Sequence, residues 1–258
     1  MSAIFFAVCV GLAVSQLALF LTTVYLHRAL AHRALKLRPW LAAVCRVALW
    51  ITTGIKPRQW VAVHRKHHAF TDVPGDPHSP VLRGYAAVQF GNVGMYRAVA
   101  NDKPTVARYA RDLPADRWDR LLFDHALLGL GLGIGFLCLV LGWRLGLVAS
   151  AVHMVSYLMI NAAVNAVGHR FGTRPRAGFA TNSQWLAWLA AGEGLHNNHH
   201  AAPTSAHLAL ARGEIDPAWW AIRTGQRFGW LTIRHEQPKL VPHDRSREKG
   251  DKREKLAA

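Results

Sequence analysis

Trp60-Val-Ala-Val-His64-Arg-Lys-His67-His68 and Gly192-Glu-Gly-Leu-His196-Asn-Asn-His199-His200 carry the same H-x-x-H-H spacing. On a helix, positions i, i+3 and i+4 share one side, so each stretch presents three imidazoles together. Working outward, His27-x4-His32 closes one long apolar run and Asn165-Ala-Val-Gly-His169 closes another. Nine of the 15 histidines therefore fall in four short segments. Imidazole nitrogen suits Zn, Cu, Fe and Ni, whereas Mg, Ca and Mn prefer oxygen. Nine ligands are too many for one ion, and two ions of four or five ligands each use them economically. Cys9, Cys45 and Cys138 lie in apolar stretches without C-x-x-C spacing, which argues against a cysteine zinc site or a disulfide framework.

Each cluster also has a plainer reading. His27 and His32 overshoot one α-helical turn, and beside Arg28 and Arg33 they could bind lipid phosphates at the interface. Arg65 and Lys66 make the His64 cluster compatible with a basic amphipathic surface, though they point elsewhere on the same helix. Asn165 fits either a helix-packing hydrogen bond or a reach to the metal, directly or through water. Asp72 or Asp76 can hold a ligand imidazole in the right tautomer, and Glu193 is a further candidate acceptor. The isolated His125, His153, His207, His235 and His243 read as structural or solvated. There is no H-E-x-x-H and no G-x-S-x-G.

With 51% hydrophobic and 18% charged residues over 258 positions, the composition leans towards the membrane and leaves no room for a second soluble domain. The net charge of +16 is not interleaved with exposed aromatics on a soluble module, so the membrane explains it better than nucleic acid. Residues 3–26, 126–143 and 145–168 are long and uncharged enough to span, the last two as a hairpin turning at Arg144. Lys and Arg number 16 in residues 28–124 and 14 in residues 169–258, which places both segments in the cytoplasm and the amino terminus outside. The missing basic start argues against a signal peptide. Residues 40–55 are too short to cross and are expected in the interface or re-entrant, so that all clusters emerge on one side. Residues 83–124 read as a short-helix cytoplasmic cover. Residues 1–233 form the membrane domain and 234–258 a charged, disordered tail. Gly129, Gly131, Gly133 and Gly135 suit close helix packing rather than a phosphate loop. The expectation is an all-α membrane bundle of about three spans plus an interfacial helix, with a cytoplasmic helical cap carrying a histidine-rich di-metal site.

The ordered set His-x4-His, Trp-x3-His-Arg-x-His-His followed by Asp76-Pro-His78, Asn-x3-His, and Gly-Glu-Gly-x-His-Asn-x-His-His resembles the membrane-bound fatty acyl desaturases, especially the Δ9, stearoyl-type branch. Glu214-Ile-Asp-Pro-x-Trp219-Trp220 looks like the ending of the bacterial members. The resemblance implies a di-iron centre that uses O2 to place a cis double bond in a long saturated acyl-CoA or acyl-lipid, with zinc able to substitute in recombinant material. It implies His27, His32, His64, His67, His68, His169, His196, His199 and His200 as iron ligands and Asn165 as a water-mediated one. It also implies electrons from a ferredoxin or cytochrome-type carrier with an NAD(P)H reductase, and a bacterial inner membrane location with the site facing the cytoplasm. Two departures stand out: the family's usual span before the first cluster has no counterpart here, and Asn92-Val-Gly-Met95 replaces His-Val-Gly-Trp. The rival readings are a di-iron lipid or carotenoid hydroxylase or ketolase, and a non-catalytic metal transporter or sensor, which would hold its ligands near the bilayer midplane.

Overall fold

In a computed structural model describing residues 2–235, the chain runs α1 (Ala3–Leu21), a π-helical continuation (Thr22–Ala31), β1 (Leu35–Leu37), α2 (Pro39–Thr53), α3 (Pro57–Ala69), α4 (Pro80–Arg83), α5 (Tyr85–Ala100), α6 (Lys103–Tyr109), a second π-helical turn (Asp119–Phe123), α7 (Ala126–Leu141), α8 (Trp143–Ala166), α9 (Gln184–Leu189), α10 (His196–Ala201), α11 (Pro217–Arg227) and β2 (Leu231–Ile233). The expected tail, apart from its first two residues, and His243 lie outside the described residues. Proline opens α2, α3, α4 and α11, where its missing N–H costs nothing and its fixed φ starts the helix.

Among the described residues, two helices are long and apolar enough to cross a membrane: the 29 residues Ala3–Ala31 and the 24 residues of α8. The 19 α-helical residues of α1 alone are roughly 28 Å long at about 1.5 Å per residue, close to a hydrocarbon core of about 30 Å, so a span made by α1 would leave the π-helical continuation bearing His27 at or beyond its end. The expected third span is shorter than its sequence suggested. α7 has 16 residues and stops at Gly142, whose φ of 80° reverses the chain there rather than at Arg144, which lies in the first turn of α8. α2, with 15 residues, ends at Gly54 in the left-handed region (φ 64°), with the Gly54 N–H bonded to Trp50 O at 3.0 Å. Only Ile55 and Lys56 then precede α3, so the His64 cluster returns towards His27.

The apolar helices meet through small residues and a few polar contacts. A Cβ on Gly129 would lie 2.5 Å from Trp50 O, and one on Gly133 would lie 2.1 Å from Ile51 O, so these two glycines admit the α2 backbone. Gly131 and Gly135 face open space. His153 ties three helices together, accepting at Nδ1 from Ser15 Oγ of α1 (3.1 Å) and donating from Nε2 to Thr52 O of α2 (2.8 Å). The expected cytoplasmic cover divides instead: α5 lies along α8, with Gln89 Nε2 donating to Met159 O at 3.0 Å, while α6 packs on α3. Val88 and Gln89 of α5 are buried. At the other end β1 pairs antiparallel with β2, Leu35 opposite Ile233, and closes a cluster of Val24, Leu35, Ile222, Leu231 and Ile233.

Gly133→Ala should lower thermal stability in detergent by about 1–3 kcal/mol, because the new methyl meets backbone that cannot give way. Gly131→Ala, which meets nothing, should be neutral or slightly stabilising, and thermal unfolding of the two variants checks the difference.

Candidate metal centre

The nine histidines converge into two groups. His27, His32, His64, His68 and His199 form one, and His67, His169, His196 and His200 the other, with the ligand atoms of each group within 4.8 Å of one another. Each H-x-x-H-H motif serves both groups. In α3, His64 and His68 (i, i+4) enter the first group and His67 the second; in α10, His196 and His200 enter the second and His199 the first. The i and i+4 side chains stack on one face while i+3 falls to its other side, so one helix can border two centres. His27 and His32 join through the π-helical segment. The His32 N–H donates to His27 O at 3.0 Å, an i→i+5 bond that brings residues five apart onto one side. The overshoot expected of an α-helix therefore does not arise.

Three carboxylates fix the ring orientations. His27 Nδ1 donates to Glu193 Oε1 at 2.7 Å, His67 Nδ1 to Asp76 Oδ1 at 3.0 Å, and His169 Nδ1 to Asp72 Oδ2 at 2.7 Å. A carboxylate only accepts, so the proton sits on Nδ1 and the Nε2 lone pair points inward. Thr23 also donates to Glu193, and Ser79 Oγ donates to Asp72 Oδ1 at 2.5 Å. The inward atoms crowd. His27 Nε2 lies 3.0 Å from His199 Nε2, which is 2.8 Å from His68 Nε2; His32 and His64 are 2.7 Å apart; in the second group the spacings are 3.0 Å (His169–His196), 3.2 Å (His196–His200) and 3.3 Å (His67–His200). Two nitrogens bound to one ion at about 2.1 Å stand roughly 3.0–3.4 Å apart, a range the second group meets and the first approaches from slightly below, so the donor chemistry of each group suits a metal.

Burial, reinforced by neighbouring imidazoles, pushes His32, His64, His68, His196, His199 and His200 well below the ordinary histidine range. Burial also lowers His169 despite Asp72. Neutral rings are the form a metal takes. Burial alone would raise Asp76, but the hydrogen bond and charge of His67 bring it down to about 2. For Glu193, burial is likewise outweighed by His27, Arg28 and Thr23, and the carboxyl is held below its usual range.

Other residues serve the frame. Arg28 is buried and makes a two-pronged contact with Asp216 at 2.8 and 2.9 Å, so it is not a lipid-phosphate ligand, and Arg33 pairs with Asp112. The absent side chain of Gly192 makes room for that pair, since a Cβ there would lie 2.2 Å from Asp216 Oδ1. Arg65 reaches Leu30 O and Ala31 O at 2.9 Å, bracing α3 against the π-helical segment. Asn198, between His196 and His199, donates to Glu214 Oε2 at 2.6 Å and Leu208 O at 2.9 Å. Sequence reasoning noted Arg28 only beside the histidines, Asp216 and His78 only as members of the Glu214 and Asp76 motifs, and gave Asn198 no role; His78 is buried beside His67.

A cavity of about 590 Å³ opens beside the two groups, with His27, His64, His196, Glu193 and Asn165 in its wall. Asn165 thus faces the space next to the second group. Trp60 stacks on His64 at 4.9 Å, and Ile55, Val63, Leu130, Leu158 and Val164 extend the apolar lining.

The fatty acid desaturase family model matches residues 2–234. The chain belongs to the fatty acid desaturase family. It is 33% identical over 221 residues to the Delta-9 acyl-lipid desaturase 2 of Arabidopsis thaliana, covering 81% of this chain and 68% of the relative. Identity to the sn-1 stearoyl-lipid 9-desaturase of Synechocystis sp. is 28% over 204 residues, covering 78% of this chain and 63% of the relative. Identity to the acyl-CoA C20 Delta5-desaturase of Anemone leveillei is 33% over 218 residues, covering 83% and 68%. The chain thus spans about two thirds of the length of the curated relatives it matches.

Asp72→Asn should weaken metal retention by about 10–100-fold, because the amide no longer enforces the His169 tautomer. Competition with a chelator of known affinity measures it; unchanged retention would mean that Asp72 does not orient a ligand.

Proposed function

We propose that the chain is an oxygen-dependent di-iron desaturase that places a cis double bond near the middle, at Δ9, of a long saturated acyl chain carried as an acyl-CoA or acyl-lipid. The convergence of two buried imidazole sets on one partly apolar cavity carries this reading. His27, His32, His64, His68 and His199 hold one iron; His67, His169, His196 and His200 hold the other, with Asn165 reaching it through water. The iron pair with O2 supplies the oxidising power that an unactivated C–H bond demands. Two electrons from an external donor and two from the substrate reduce one O2 to two waters. Zinc, which outranks Fe²⁺ in affinity, replaces iron readily in recombinant material.

The chain's own residues bind and orient. Trp60, Ile55, Val63 and Val164 present an apolar wall beside the histidines and keep water from the reacting carbons. Leu127, Met154 and Leu158 line the same cavity yet are exposed on α7 and α8, so an acyl chain can enter from the bilayer between them. Lys56, Arg97 and Asn101 also line it and suit the phosphates of coenzyme A or a lipid head group. The basic cytoplasmic face docks an acidic ferredoxin or cytochrome-type carrier served by an NAD(P)H reductase. In a bacterial inner membrane the site faces the cytoplasm, in keeping with the distribution of Lys and Arg.

Expression in a host supplied with a working electron donor should yield cis-monounsaturated chains of about 16–18 carbons, a length comparable with one leaflet of a hydrocarbon core about 30 Å thick. Mass spectrometry with double-bond localisation reads the product. Hydroxylated chains as the sole product would favour the oxygenase reading, and unchanged lipids would contradict both. His199→Ala should abolish the product and lower the metal content. A cysteine at Ser2 should label only from the side opposite His196, and labelling from the same side would contradict a single crossing by Ala3–Ala31.

A further inference from the structure

We propose that His78 is a positioning residue that hydrogen-bonds a small oxygen-containing ligand, such as water, hydroxide or peroxide, held in the cavity beside the four-histidine group; this rests on the di-iron reading above. His78 is 6% exposed, and neither Nδ1 nor Nε2 has a hydrogen-bond partner. Leaving two polar atoms of one ring buried and unpaired is costly, and an apolar side chain would fill the same space without that cost. The ring forms part of the cavity lining together with His196 and Asn165. Asn92 Oδ1, also buried and unpaired, belongs to that lining and offers a second atom in need of a partner.

The place of His78 is set by the centre itself. Its backbone N–H donates to Asp76 Oδ1 at 3.0 Å, the oxygen that accepts from His67 Nδ1, and its ring lies 4.9 Å from that of His67. His67, Asp76 and His78 are close enough to hold a cation. A third metal there would have to displace existing bonds, since both Asp76 oxygens already accept from His67, and the N–H groups of Asp72 and His78 take one each. A hydrogen-bonding molecule needs no such displacement. A neutral imidazole donates from one nitrogen and accepts at the other, matching a ligand that does both, whereas an acyl chain offers neither.

The test uses the full chain loaded with iron and oxidised, with azide as the probe. Azide is a small anion whose terminal nitrogen accepts a hydrogen bond. His78→Phe should retain two irons while its azide Kd rises about tenfold, the loss expected of one hydrogen bond to a charged ligand. His78→Gln, which keeps a donor and an acceptor, should restore the Kd to within about twofold. Unaltered azide binding in His78→Phe, an equal loss in both variants, or loss of iron from either would overturn the proposal, because each assigns His78 to packing or to ligand support. A wild-type protein holding fewer than two irons would remove the di-iron reading and this proposal with it. Two irons with unaltered azide binding would remove this proposal alone.

Discussion

Nine imidazoles turning ring nitrogens towards one another at 2.7–3.3 Å is the constraint on which the rest of the structure depends. Glu193, Asp76 and Asp72 hold protons on the outer nitrogens of His27, His67 and His169, so the inner nitrogens of those rings cannot carry them. Separations of 2.7–3.3 Å between such atoms are unfavourable unless positive charge sits among them. Protonating the rings would not provide it, since burial and mutual repulsion oppose charge on most of them. Divalent cations would resolve the conflict, and the carboxylates around the histidines would then offset part of their charge.

That arrangement draws on chain segments far apart in sequence, so their mutual placement must be specified by something other than local preference. The Arg28–Asp216 pair joins the π-helical segment to the start of α11, and Arg28 also holds Ala206 O at 2.8 Å. Glu214 holds Asn182 at 2.8 Å and Asn198 at 2.6 Å, fixing α10, which carries His196, His199 and His200. A buried ion pair adds little net stability over an apolar one, but breaking it by removing one partner costs about 3–5 kcal/mol. These contacts therefore select a geometry more than they deepen the energy well. The apolar helices α1 and α8 serve the same end, carrying His27 and His169 at or just beyond their final turns and holding those ends side by side.

Much of this was legible because metal chemistry demands particular residue types at helical spacings. The H-x-x-H-H stretches, the two long apolar runs and the role of Gly129 and Gly133 could be read from periodicity and composition. The allocation of ligands could not, because i, i+3 and i+4 on one side of a helix does not reveal that i+3 turns to a second centre. The i→i+5 bond at His27 and His32 was hidden for a related reason: side-chain pattern assumes 3.6 residues per turn, and a π-helical stretch departs from it. The reversal at Gly142 was missed because Arg144 broke the hydropathy run, while the backbone turned at the residue free to adopt positive φ. What Arg28, Asp216 and His78 do stayed invisible, though each stood beside or within a recognised motif, because it depends on partners, or missing partners, distant in sequence.

The most direct test of the central claim is anomalous X-ray scattering from crystals of the metal-loaded protein. Two separate peaks should appear, one among His27, His32, His64, His68 and His199 and the other among His67, His169, His196 and His200. A single peak, or a peak beside His67, Asp76 and His78 in place of either, would contradict the two-centre arrangement.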